Sequence, residues 1–243
     1  MREYVPIIIS ILSVHLCSQN LPRNLTVGEQ SRLHEIGTSR TITDPPDSIV
    51  HTPAEFDSVA GIIFAWEAYS TLMTELIKEV AEEDTAWVVV DNTSEENSVS
   101  NTLSNAEVNM DHVVFQVIPT NSVWIRDYGP RYIYENGCRA IIDHTYNRPR
   151  PNDNALNSHL APLLGHGYYE IPLIHGGGNF HLNAYDYGWA TELIVDENPS
   201  LNETQIRDYW SEFQNLDVTI TDAFPTSVDY TQHIDMWMCW ASD

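Results

Sequence analysis

Two short motifs in this chain carry residues that could bind a planar cation. WIRDYGP, residues 124–130, contains Trp124 and Asp127, and HID, residues 233–235, contains His233 and Asp235. Two carboxylates and an imidazole in one pocket would suit a guanidinium group, and an indole ring can stack on such a cation. The competing interpretation is that an Arg-Asp dipeptide is a surface ion pair of little energetic weight.

His233 and Asp235 lie two residues apart in a stretch, residues 230–240, that is predicted to be extended. Alternate residues of an extended strand face the same side, roughly 6–7 Å apart, so the imidazole could move a proton while the carboxylate anchors a cation. His-x-Asp is also a possible pair of metal ligands, and His175 and His181 add candidates, but no HExxH or CxxC spacing is present. We therefore predict a site without a metal or cofactor. Local hydrogen bonding of His233 and Asp235 remains an alternative.

A third motif, NRPRPND over residues 147–153, places Arg148 and Arg150 on either side of a proline. Because proline restrains the backbone, the two planar guanidinium groups could grip one carboxylate. Simple solvent exposure is the alternative. The chain has only 11 basic residues against 35 acidic ones, which favours a functional role for this pair.

Alternating strands and helices must position these motifs. Continuous apolar runs predict buried strands over residues 59–66, 86–90 and 113–118, the last leading into the Trp124 motif. Asn136-Gly137 predicts a hairpin. Three helices are predicted: one that begins at Ser70, one over about residues 155–164, and one after a capping box of Ser200 and Glu203. Three further strands are predicted over residues 169–173, 187–195 and 218–221. Three glycines, residues 176–178, lack a phosphate-binding spacing and predict a close backbone bend near a ligand. No clean sequence repeat is visible.

Length and charge limit the classes of protein that fit. A chain of 243 residues with 42% hydrophobic residues can form one large domain or two small ones. The net charge of −24 argues against nucleic acid as a partner and would attract a cationic substrate.

The N-terminus has the pattern of an export signal. Arg2 precedes a mostly apolar run over residues 5–14, and small or polar residues 17–19 follow. We predict a signal peptide over residues 1–18 and a secreted or periplasmic protein without stable membrane insertion, because the run is too short to span a bilayer. A polar leader over residues 19–54 and a domain over residues 55–243 would follow. The remaining Cys138 and Cys239 are too few for a disulfide framework.

Together the motifs resemble the guanidine-modifying enzyme superfamily, and within it the bacterial (Porphyromonas-type) peptidylarginine deiminases, with agmatine deiminases as a nearby branch. The resemblance runs from residues 53–57 through residues 124–130, 147–153 and 177–180 to Tyr230 and the HID motif. It implies an α/β propeller of ββαβ modules, the pentein fold, of which this length corresponds to three or four modules. It also implies that the chain ends before the propeller is complete.

By resemblance, Asp127 and Asp235 would grip the guanidinium nitrogens and His233 would act as general acid and base. Trp124 and Tyr230 would form walls of the substrate site. Arg148 and Arg150 would hold the α-carboxylate of a C-terminal arginine. The partner is therefore expected to be an arginine-containing peptide or a small guanidino substrate.

The reaction that the resemblance implies is hydrolysis of arginine to citrulline and ammonia through a cysteine nucleophile. The family's cysteine lies well beyond the HID motif, in a part that this chain does not have. Cys138 and Cys239 are poorly placed to replace it, because Cys239 would lie some 13 Å along an extended strand from Asp235. Two alternatives stay open: an agmatine deiminase of putrescine biosynthesis, and a catalytically inactive remnant that binds guanidino ligands.

Overall fold

The computed structural model describes residues 21–38 and 41–240, in which the strands form three separate sheets. The strands are β1 (Val50–His51), β2 (Ile62–Ala65), β3 (Ala86–Val90), β4 (Val113–Val117), β5 (Arg131–Glu135), β6 (Cys138–Tyr146), β7 (Gly167–His175), β8 (His181–Leu182), β9 (Tyr187–Thr191) and β10 (Asp217–Thr221). The helices are α1 (Val27–Gln30), α2 (Ser70–Glu83), α3 (Thr93–Asn105), α4 (Ile125–Tyr128), α5 (Pro151–Leu164), α6 (Leu193–Glu197) and α7 (Glu203–Gln214).

The first sheet is parallel, in the order β2-β3-β4, and is covered on both faces. Val88 faces a core that includes Ile77 of α2 and Leu103 of α3. Its neighbour Val89 faces a second core that includes Leu156 of α5. Successive side chains of a strand point to opposite faces of the sheet. A strand that is buried on both faces is therefore apolar at every position, which explains the continuous apolar run in the sequence.

The other two sheets share one order of elements. β5 and β6 form an antiparallel hairpin, and α5 then crosses to β7, which pairs parallel with β6. β8 and β9 are likewise antiparallel, and α6 and α7 lead to β10, parallel with β9. Both sheets are thus ββαβ modules. The hairpin prediction is confirmed, with Asn136 and Gly137 at φ of 51° and 80°.

The segment predicted to be a polar leader contributes structure to the fold. α1 begins with a capping box between Thr26 and Glu29. Strand β1 pairs antiparallel with β5, which makes it the edge of the four-stranded sheet β1-β5-β6-β7. The predicted signal peptide, residues 1–18, lies outside the described residues. No helix among the residues described has the length and apolar character needed to cross a membrane.

Several predictions of local structure are wrong or incomplete. The strand predicted over residues 187–195 ends at Thr191, and helix α6 begins at Leu193. Helix α3 was not expected, because its sequence is polar and buries only Val99 and Leu103; the side chain of Asn92 starts it by accepting from the Glu95 amide at 3.1 Å. The capping box of α7 is formed by Asn202 and Gln205, not by Ser200 and Glu203.

The stretch over residues 230–240 is not extended as predicted. Residues Ile234–Met236 form a single 3-10 turn, and His233 immediately before it keeps extended backbone angles. The Met236 amide donates to the His233 carbonyl at 3.4 Å, which turns the chain at the HID motif. His233 and Asp235 therefore do not share a strand face, and the turn brings their side chains together.

Candidate active site

Asp127 lies in the one-turn helix α4, directly after the loop that follows β4. Its Oδ1 accepts a hydrogen bond from the Gly178 amide at 3.1 Å and lies 3.3 Å from Nδ1 of His233. The His233 residue is buried, with 3% exposure, and the Asp127 side chain is 19% exposed. The two separate motifs predicted from the sequence thus meet at one point.

Gly178 marks that point. A methyl group placed on its Cα would lie 2.7 Å from Nδ1 of His233, 2.7 Å from Oδ2 of Asp235 and 2.8 Å from Oδ1 of Asp127. Any side chain here would displace all three groups. Two carboxylates and one imidazole therefore converge on the backbone of the glycine segment, residues 176–178.

Asn179 ties the glycine segment to the HID turn. Its buried Oδ1 accepts from the amide of Thr191 at 3.0 Å, from the hydroxyl of Thr191 at 2.9 Å and from the amide of Ile234 at 3.3 Å. The Gln232 carbonyl lies 2.8 Å from the same hydroxyl, so Asn179 Oδ1 and this carbonyl share the single hydroxyl hydrogen of Thr191. Asn179 and Thr191 therefore hold the backbone on either side of His233.

Glu197, at the end of α6, belongs to the site although the motifs did not reveal it. One carboxylate oxygen, Oε1, accepts from the Asn147 side-chain amide, and Oε2 is buried without a hydrogen-bond partner among the described residues. The charges of His233, Asp127 and Arg148 all act on this carboxyl. Its place in a helix that carries no recognisable motif gave no signal in the sequence.

The arginine pair is divided between two environments. Arg148 is half-buried, donates from Nη1 to the Asn147 carbonyl at 3.1 Å, and acts on Asp127 and Glu197 through its charge. Arg150 is 1% exposed and donates from Nε to Oε1 of Glu29 at 2.7 Å. The expectation that both arginines face one external carboxylate is therefore corrected: Arg150 holds a carboxylate of its own chain.

The two aromatic residues predicted to wall the site also differ. The indole Nε1 of Trp124, at the start of α4, donates to the Leu21 carbonyl at 2.9 Å, so this ring is held by the N-terminal segment. Tyr230 is 43% exposed on the loop after β10 and is not among the groups that converge on Gly178. Of the seven predicted residues, the structure brings Asp127, His233 and Asp235 together.

A family model of the Porphyromonas-type peptidyl-arginine deiminases matches residues 51–243. This range includes the groups around Gly178 and leaves out α1. The chain belongs to this family.

Curated relatives of the chain carry names of agmatine deiminases. A Photobacterium profundum protein whose name assigns it to the agmatine deiminases is 24% identical over 197 residues, which are 70% of this chain and 52% of that protein. The chain spans about half the length of the curated relatives it matches.

Solved deiminase structures share the fold. The agmatine deiminase of C. jejuni superposes with a TM-score of 0.60 at 23% identity, covering 72% of this chain and 56% of that one. Agmatine deiminase of Enterococcus faecalis gives a TM-score of 0.66 at 17% identity, covering 76% and 56%. The α/β propeller fold of pentein type expected from the resemblance is confirmed.

Within this deiminase fold, the electrostatics favour a charged His233 beside a charged Asp127. Burial opposes the charged imidazole, but the hydrogen bond and charge of Asp127, with further attraction from Asp235 and Glu197, raise the pKa of His233 above its ordinary value. Burial likewise opposes ionisation of Asp127, yet His233, the Gly178 amide and Arg148 lower its pKa. Each partner stabilises the charge of the other.

The remaining two carboxyls are harder to ionise. Burial raises the pKa of Asp235, and the Asp127 charge adds to this, while His233 offsets part of it. Burial also raises the pKa of Glu197 to about 7, against the effect of Asn147, His233 and Arg148. Three carboxyls and one imidazole that act on one another through their charges can bind a cation and exchange a proton with it.

The described residues of this chain include two free cysteines, both exposed. Cys138 begins β6, next to the hairpin turn, and Cys239 follows the HID turn. No cluster of three or more metal-ligating side chains occurs in the part of the chain that is described.

Proposed function

We propose that this domain binds the guanidinium group of arginine or a C-terminal arginine peptide and positions it for hydrolysis to citrulline and ammonia. The convergence of Asp127, His233 and Asp235 on Gly178 carries the proposal. A planar cation with five N–H donors suits two carboxylates set beside an imidazole.

The proposed reaction needs a cysteine thiolate, which these three groups do not supply. The thiolate would attack the guanidinium carbon, and ammonia would leave with a proton from His233. Water would then cleave the thiouronium carbon–sulfur bond, giving citrulline and restoring the thiol. In this scheme Asp127 and Asp235 orient the guanidinium nitrogens, and the raised pKa of His233 keeps a proton available for the leaving group.

Agmatine is the second candidate substrate, and one contact favours it. Arg150 is already paired with Glu29, which leaves Arg148 as the cation able to meet an external carboxylate. A substrate without a carboxylate does not need Arg150, so the pairing of Arg150 with Glu29 does not weaken its binding. The agmatine deiminase names of the relatives point the same way.

Binding of L-arginine and agmatine by isothermal titration calorimetry tests the proposal, with citrulline as the ligand that lacks a guanidinium group. We expect both guanidino ligands to bind, citrulline to bind at least about tenfold more weakly, and Asp127→Asn to reduce guanidino binding by a similar factor. Equal binding of citrulline and L-arginine would refute a guanidinium site.

Ammonia release separates an enzyme from a binding remnant. Binding of L-arginine without any release of ammonia at high protein concentration would favour the inactive alternative for this chain.

We further propose export by the N-terminal segment. Processing near residue 18, measured by mass spectrometry of the secreted protein, would support it, and retention in the cytoplasm with an intact N-terminus would refute it.

A further inference from the structure

Two stacked histidines lie behind the candidate site, and each binds a backbone carbonyl that borders it. His144 of β6 and His175 at the end of β7 are 3% and 0% exposed, and their ring centroids are 4.1 Å apart. Nε2 of His144 donates to the Asp127 carbonyl at 2.9 Å, and Nδ1 of His175 lies 3.1 Å from the Gly176 carbonyl. The pair thus connects α4 to the glycine segment, and these two pieces of backbone meet in the hydrogen bond from the Gly178 amide to the Asp127 carboxylate.

Arg131, at the start of β5, decides which nitrogen of His175 carries the proton. Its Nη2 lies 3.0 Å from Nε2 of His175. A guanidinium group can only donate, so Nε2 accepts and the ring proton of a neutral His175 lies on Nδ1, where it is donated to the Gly176 carbonyl. Burial lowers the pKa of His175 well below its ordinary value, and His144 and Arg131 add to this, which keeps the ring neutral.

The position of Arg131 is costly, and only part of its hydrogen-bonding capacity is used. Burial lowers the pKa of Arg131 to about 9, so the side chain is still charged at neutral pH. Its Nε and Nη1 are buried without an acceptor among the described residues, which costs stability. The contacts that it does make are the hydrogen bond to His175 and a cation–π contact with Phe180, whose ring centroid is 4.7 Å from its Cζ. Arg131 therefore holds the chain on both sides of the glycine segment.

We propose that His144, His175 and Arg131 act together as positioning residues for the candidate site. The two rings hold α4 and the glycine segment in register, and the guanidinium group fixes the tautomer of His175 that this requires. Loss of the bond to the Gly176 carbonyl would let the Gly178 amide move away from the Asp127 carboxylate. The assignment rests on the proposed function, because the groups that it positions are those that would bind the guanidinium group.

NMR of the ring nitrogens in the unaltered chain tests the tautomers directly. We expect a proton on Nδ1 and none on Nε2 of His175 from about pH 6 to about pH 8, and a proton on Nε2 of His144. This measurement needs neither a ligand nor a variant. A proton on Nε2 of His175 in this range would overturn the proposal.

Two substitutions of similar size at His175 separate its hydrogen bond from the bulk of its ring. Asparagine keeps an N–H close to the position of Nδ1, whereas leucine has none. By calorimetry, we expect His175→Leu to bind L-arginine and agmatine about tenfold more weakly and His175→Asn to recover most of that loss. His159→Leu, at an exposed position of α5, is the control and should bind both ligands as the wild type does. Equal losses in His175→Asn and His175→Leu would mean that the ring only fills space, which would overturn the proposal.

Arg131 is tested by the same kind of comparison. Methionine removes the donor to Nε2 of His175, and lysine keeps one. We expect Arg131→Met to weaken the binding of both guanidino ligands about tenfold and Arg131→Lys to recover most of that loss. Equal losses in the two variants would overturn the role given to Arg131.

The pKa of His233, measured by NMR, gives a readout that needs no ligand. It should fall in His175→Leu, because a displaced Asp127 attracts the imidazolium less, and stay near the wild-type value in His175→Asn. If neither guanidino ligand binds the wild-type chain, the proposed function fails, and this pKa still decides the inference. A lower value in His175→Leu alone supports the inference, and an unchanged value in His175→Leu overturns it.

Discussion

Nδ1 of His233 lies 3.3 Å from Oδ1 of Asp127, and the pair is enclosed by the glycine segment and the HID turn. The two residues come from distant parts of the chain, and neither is held by its own element alone. The Gly178 amide fixes the carboxylate and Asn179 fixes the turn that carries the imidazole. The pair is thus preorganised before a ligand arrives.

Replacing Asp127 with asparagine should lower the pKa of His233, because the carboxylate that favours the imidazolium is gone. The pair contributes stability only where both partners are charged. That contribution is lost as pH falls through the lowered pKa of Asp127 and as pH rises through the raised pKa of His233. Asp127→Asn should therefore destabilise by about 1–3 kcal/mol near pH 5–6 and by less above pH 8.

Histidine titration by NMR and urea unfolding at several pH values check this. Asp111→Asn, at an exposed position, is the control. An unchanged His233 pKa in Asp127→Asn would show that the pair carries no charge coupling.

Much of this site could be predicted from residue types, and the limits have physical causes. The buried strands and the Asn136-Gly137 hairpin follow from local patterns, and the HID and WIRDYGP motifs indicated a cation site because carboxylates and an imidazole recur in them. The prediction of an extended chain at the HID motif was wrong, because the Ile234 amide donates to Asn179, which lies in a distant segment. Such a tertiary contact overrides local preference.

Glu29 and Glu197 could not be found from sequence for a related reason. Each lies in a helix of four or five residues with no motif, and each gains its role from a buried partner far along the chain: Arg150 for Glu29 and Asn147 for Glu197. Local spacing carries no information about such pairs.

Gly178→Ala should abolish guanidino binding, with a loss of at least about tenfold, because the new methyl group would lie within 2.7–2.8 Å of three polar side-chain atoms. We also expect about 1–3 kcal/mol of destabilisation from the crowding. Gly28→Ala is the matched control, since its methyl group would meet only Thr26 Oγ1 at 3.9 Å. Wild-type ligand affinity in Gly178→Ala, measured by calorimetry, would argue against this placement of the site.

Glu197→Gln should stabilise the protein above pH 7. The pKa of Glu197 is raised from 4.5 to about 7 in the fold, so its unfavourable ionisation costs little below pH 4.5, grows as pH rises from 4.5 to 7, and is fully present and constant above 7. Glutamine keeps the acceptor for Asn147 and removes this cost, a gain of roughly 1–3 kcal/mol at pH 8 and near zero at pH 4.5. Chemical unfolding at the two pH values measures it, with the exposed Glu212→Gln as control. A gain of equal size at both values would contradict a titration origin.

Arg148→Ala separates arginine from agmatine as the ligand. Arg150 is paired with Glu29, whereas the charge of Arg148 already acts on Asp127 and Glu197 inside the site. Arg148 is therefore the cation that should meet a ligand carboxylate first, and a charged hydrogen bond of this kind accounts for about a tenfold change in affinity. We expect L-arginine to bind about tenfold more weakly to Arg148→Ala by calorimetry. Agmatine, which keeps the ammonium group of arginine and lacks its carboxylate, should bind as well or better. Arg139→Ala, at an exposed position of β6, should change neither. Equal weakening of the binding of both ligands would mean that Arg148 supports the structure of the site and does not bind the ligand carboxylate.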